Sequence, residues 1–147
     1  MRSESMEKLD VLVGDWRTTL RNAWFLASPE QAVPGRATVE WLGEAFVVFR
    51  WTMEGDVGSA TSEMVLVLGR SDSQDCYTAL YHDERGVCRV FGMTFDGSSW
   101  ILSREDPDMF QRFIADVKPG HISGRWEASE DHGSTWRKDF DLYLDRD

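Results

Sequence analysis

The residues of this chain that could do chemistry lie inside segments of alternating polarity. Arg50, Arg104 and Arg112 are cations within stretches rich in β-branched and aromatic types, and Tyr77, Tyr81 and His82 share the short run CYTALYH. A guanidinium turned into an apolar cavity beside tyrosine hydroxyls would suit a carboxylate or phosphate head, because its planar fork donates two parallel hydrogen bonds to such a group. Phe49, Trp51, Tyr81 and Trp100, with Trp16 and Trp126, could supply flat apolar surface for the body of the same molecule. Each has a plainer role open to it. An arginine in a strand commonly lies outward with its stem along the sheet, and rings commonly just fill a core.

Other chemistries find less support. His82, His121 and His132 are the only imidazoles; His121 follows KPG and His132 lies in EDHGS, both turn sequences facing water, while His82 stands beside Asp83 at a strand end. A haem-binding barrel using one of them is an alternative, and so are a small enzyme working through Tyr81, His82 and Asp83 at a barrel mouth and a ligand-free structural or interaction protein. No P-loop, Gly-x-Ser-x-Gly elbow or HExxH is present, and two cysteines alone cannot make a structural zinc site. The expectation is a protein without metal or cofactor, and not an enzyme by any recognisable motif.

Composition narrows the partners. Sixteen basic against 26 acidic residues leave a formal charge of −10, spread along the chain, which repels phosphates. Nucleic acid and anionic membrane are therefore not expected as partners, whereas a small-molecule ligand is, and a homodimer is left open. No apolar run is long enough for a membrane helix, and MRSESMEKLD lacks the apolar core of a secretory signal, so the expected compartment is the cytoplasm. At 147 residues the chain fits one domain, expected over 1–147, and seven Trp with eight Phe are many rings for it to enclose.

The elements that must position these residues are almost all strands. Met6, Leu9 and Val13 recur at helical spacing after Ser3 and Ser5 and before Gly14, which predicts one short amphipathic helix. Beyond it the pattern predicts strands at 15–25, 35–42, 45–54, 61–70, 76–82, 87–95, 99–105, 110–117, 121–129 and 135–144. Short turn-rich links such as LGEA, DERG, FDGSS and KPGH make consecutive strands antiparallel neighbours, and closing the sheet removes two exposed edges. The fold class is therefore an all-β, about ten-stranded, antiparallel up-and-down barrel with a short N-terminal helix.

Alternation assigns faces. Ala45, Val47, Phe49, Trp51 and Met53 are expected inside, and in the last strand Trp136, Phe140, Leu142 and Leu144 oppose Arg137, Asp139 and Asp141. The segment from Asn22 to Gly35 has no clean alternation and would cross a barrel mouth, as a lid or as a simple connection. The turn DERG pairs positions summing to about 169, so Tyr81 faces Cys88 and Cys76 faces Met93. That leaves the two sulfurs roughly 17 Å apart along a strand, too far for a disulfide.

Several pieces in order carry a family resemblance. LVGDW resembles the Gly-x-Trp element on the first strand of calycins, with Gly14, Asp15 and Trp16 in place; YHDERGVCRVFGM, FQRF, ISGRWEAS and TWRKDFDLYL resemble a family of small bacterial calycin-like proteins of unknown function. The resemblance implies a lipocalin or fatty-acid-binding type of barrel and, by extension, a binding role. It also implies that Arg125 stacks on Trp16 to close the barrel floor. The function expected is binding of an apolar or amphipathic molecule, anionic if an inward arginine lacks an acidic partner.

Trp16 is expected beneath the N-terminal helix at one end of the barrel. Trp16→Ala should cost about 3–5 kcal/mol in urea unfolding, as emptying a buried ring site does; a loss below about 1 kcal/mol would mark the ring as peripheral.

Overall fold

The computed structural model describes residues 2–28, 30–54 and 62–147. Helix α1 (Glu4–Glu7) runs into a 3-10 turn (Lys8–Leu12), and ten strands follow: β1 (Gly14–Arg21), β2 (Val33–Leu42), β3 (Phe46–Met53), β4 (Glu63–Arg70), β5 (Tyr77–Asp83), β6 (Cys88–Phe95), β7 (Ser99–Glu105), β8 (Phe110–Lys118), β9 (His121–Ser129) and β10 (Arg137–Arg146). Each strand pairs antiparallel with the next, and β10 returns to pair with β1, closing the barrel. The predicted all-β, up-and-down architecture is the one observed. Thr61, the expected first residue of the fourth strand, and Pro29 in the mouth-crossing segment lie outside the described residues.

Period-two alternation decides what fills the barrel. Val47, Phe49, Trp51 and Met53 of β3 are all buried, as are Phe91, Met93 and Phe95 of β6 and Trp100 and Leu102 of β7. A chain of ring contacts runs through the interior: Phe49 to Trp100 at 6.0 Å, Trp100 to Phe113 at 5.3 Å, and Phe113 to Trp126 at 5.2 Å between centroids. These edge-on and tilted pairs suit the ring quadrupoles and pack the half of the barrel nearest the helix.

The helix end is the floor. Ser3 caps α1 through its hydroxyl, and Met6, Leu9 and Leu12 are buried against the barrel. The Trp16 indole is 1% exposed and donates to the Leu12 carbonyl at 2.9 Å. Arg146, not Arg125, covers it: the guanidinium carbon lies 4.2 Å from the Trp16 ring, and its two terminal nitrogens donate to the carbonyls of Val13 and Val11. The reason is geometric, since Trp126 points inward and Arg125 therefore points outward, where it meets Glu127 at 3.5 Å. A Cβ at Gly14, held at φ +140°, would stand 2.3 Å from the Arg146 side chain, so only glycine admits this clasp.

Two registers depart from expectation. The β5–β6 hairpin pairs positions summing to 170, so Tyr81 faces Arg89 and His82 faces Cys88. The cysteines are unpaired, as the register argument required. In β10 the pairing with β9 shifts between Lys138 and Phe140, a bulge that doubles one position. Strict alternation fails there. Arg137 comes opposite the inward Ala128, while Trp136 lies on the outer surface under the Arg112 guanidinium at 3.8 Å.

Candidate functional site

At the end opposite the floor the interior is not filled. A cavity of about 280 Å³ opens there, and its deep walls are Trp51, Met64, Phe91, Trp126 and Phe140. Trp51 is fixed by an indole N–H bond to Thr18 Oγ1 at 2.9 Å. Gly35 of β2 makes room for it: a Cβ there would stand 2.6 Å from the same hydroxyl and 2.5 Å from the Thr52 carbonyl. Phe140 lies 6.0 Å from Trp51, and Phe91 lies 5.7 Å from Trp126, so two ring pairs face the space.

The connection between β1 and β2 lies along the rim. Trp24 and Phe25 line the cavity, with Phe25 edge-on to Phe140 at 5.9 Å. Trp24 is pinned by its indole N–H to Asp139 Oδ1 at 3.0 Å and by its backbone N–H to the Asp139 carbonyl, and the Arg137 guanidinium stacks 5.0 Å above its ring. Asn22 adds a bond to Asp141. The mouth-crossing segment is thus tied to the bulged start of β10.

Arg85, Arg89 and Arg137 line the same mouth, with Gln111 beneath them. Arg85 grips Asp83, whose carboxyl it holds far below the usual carboxylate range, and Asp83 in turn accepts from Tyr81 Oη at 2.8 Å. Burial, helped by that bond, pushes the Tyr81 phenol up to about 12, so it stays protonated as a donor. Arg137 is neutralised by Asp139 at 3.2 Å and Glu130 at 3.6 Å. Burial raises the Asp139 carboxyl, against the Trp24 bond and the Arg137 charge.

Arg89 differs. Its Nη1 donates to Gln111 Oε1 at 3.2 Å and its guanidinium lies 5.6 Å from the Tyr81 ring; among the described residues no carboxylate comes within ion-pair distance of it. The Nε and Nη2 edge of this half-buried cation has no protein acceptor among them. Glu63, also on the rim, is exposed, because the neighbouring Met64 takes the inward position.

The residues picked from sequence divide sharply. Trp51 and Tyr81 line the cavity, while Phe49 and Trp100 point inward but lie in the packed half. Tyr77 stands at the floor, donating to the Ser5 carbonyl at 2.7 Å. Arg50 is corrected to the outer face, exposed and paired with Glu40 at 2.5 Å. Arg112 is likewise outward, on Glu127 at 2.7 Å. Arg104 does turn inward and is 7% exposed, but Asp106, Asp108, Gln111 and the Met109 carbonyl absorb its donors. His82 is exposed beside outward-facing positions, so Tyr81, His82 and Asp83 form no joint site. No histidine lines the cavity among the described residues, and haem would find no imidazole there.

Arg85, Arg89 and Arg137 were missed for separate reasons. Arg89 would have followed from a register one position longer, Arg137 needed the bulge, and Arg85 sits in a turn whose side-chain direction alternation does not address. Among the described residues no group of His, Cys, Asp and Glu could hold a metal ion, and no helix is long and apolar enough to cross a membrane.

No protein-family model matches the chain, and no curated protein matches it. Among solved structures it is similar to the crystal structure of Rv2717c from M. tuberculosis, with a TM-score of 0.68 over 100% of this chain and 99% of that one, at 10% identity. At that identity the likeness is one of fold.

The Tyr81 phenol gives a pH signature. Its folded value, about 12, exceeds its ordinary 10.0, so the unfolded chain loses this proton first and stability falls as pH rises from 10 toward 12. Urea unfolding across that window should show a steeper loss in the native protein than in Tyr81→Phe. Superimposable profiles would mean that the phenol is not held as described.

Proposed function

We propose that the protein is a calycin-like binding barrel for a small amphipathic molecule whose apolar body enters the mouth cavity and whose anionic head pairs with Arg89. The observation that carries this is the charge state of the rim. Each other inward arginine has a carboxylate of its own, whereas Arg89 has, among the described residues, only an amide oxygen and a ring face. Holding a half-buried guanidinium without an anion costs free energy that a bound carboxylate, sulfonate or phosphate would recover. The aromatic walls and the open mouth support the rest of the reading, because ligand pockets are largely apolar with a few placed polar groups.

A pair of dyes sharing one ring skeleton tests it. 1-Anilinonaphthalene-8-sulfonate and its neutral counterpart N-phenyl-1-naphthylamine should both brighten on binding, and Arg89→Met should weaken the sulfonate about tenfold or more, as losing one charge-assisted pair does. The neutral dye should bind the variant unchanged. Equal loss of both dyes would show a damaged pocket and no anion site.

A further inference from the structure

We infer that the molecule this site takes is a compact aromatic monocarboxylate and not an extended acyl chain; the inference rests on the anion site at Arg89. Size is the first reason. A cavity of about 280 Å³ is at the small end for ligand pockets, which suits a compact body better than a long chain. An extended chain would have to continue toward the floor. That way is blocked, because Phe49, Trp100, Leu102 and Phe113 are each no more than 3% exposed, and the three rings among them pack edge to face.

Shape is the second reason. Trp51 with Phe140 and Phe91 with Trp126 present ring surfaces from four strands, and Phe25 adds an edge at the rim. An aromatic body gains offset-stacked and edge-to-face contacts with such walls that a flexible chain of equal area does not, and it loses fewer rotors on binding.

Charge is the third. Arg85 and Arg137 are already neutralised within the rim, so among the described residues one cation is left over, which matches one negative charge on the ligand. The free Nε and Nη2 edge of Arg89 has the two-pronged geometry that a planar carboxylate accepts. Gln111 Oε1, which also receives Arg104 at 3.0 Å, holds Nη1 and so orients that edge.

Isothermal titration of the full chain with 2-naphthoate, 2-naphthamide, decanoate and hexadecanoate tests this. Naphthoate should bind about tenfold more tightly than decanoate, a chain of nearly the same size, and hexadecanoate should bind no better than decanoate. Decanoate or hexadecanoate equalling or exceeding naphthoate would overturn the aromatic inference while leaving the anion site standing. Naphthamide binding as well as naphthoate would overturn the anion site itself, and no heat with any of the four would overturn both.

Discussion

The pairing of β10 with β1 is the constraint on which the rest depends, because closure turns the sheet's inner face into a fixed volume. Every inward side chain must then fill that volume or leave a hole in it. The floor half is filled by rings and sealed by the N-terminal helix, which Arg146 and Trp16 clasp in place. The mouth half, walled by the same ring types, keeps a cavity. The filled half meets the open half at Phe113 and Trp126, which belong to one contiguous ring chain.

Charge is distributed by the same economy. Arg104 shows what a settled inward arginine looks like, with donors shared among two carboxylates, an amide and a backbone carbonyl. Arg85 and Asp83 show a second solution at the rim, with Tyr81 locked to the carboxylate. Arg89 shares its amide acceptor with Arg104, so one oxygen serves two cations and neutralises neither. In a chain of net charge −10, a cation inside the mouth with no carboxylate partner among the described residues is a local exception to the prevailing sign.

Most of the barrel was legible because strand physics is local. Period-two alternation placed Val47, Phe49, Trp51 and Met53 inside, whereas Ala45, expected with them, is exposed in the turn before β3; short turns ordered ten strands as a meander. The site was less legible because it depends on single-residue offsets. One position in the β5–β6 register decides whether Arg89 or Cys88 stands opposite Tyr81. The bulge at 138–140 has no glycine to announce it and reverses Arg137 against Leu142. Arg50 and Arg112 misled because their outward carboxylates, Glu40 and Glu127, lie on neighbouring strands and not beside them in sequence. The floor clasp was expected in kind and misplaced in position: a guanidinium does cover Trp16, from Arg146 at the end of β10 and not from β9.

The most direct measurement of the central claim is the 15N resonance of the Arg89 side-chain Nε, followed in solution as an aromatic carboxylate is added. A charge-assisted bond to that edge should move the Nε–Hε signal downfield in step with saturation, while the Arg104 signal, already fully engaged, shifts little. Saturable binding that leaves the Arg89 signal in place would contradict the account.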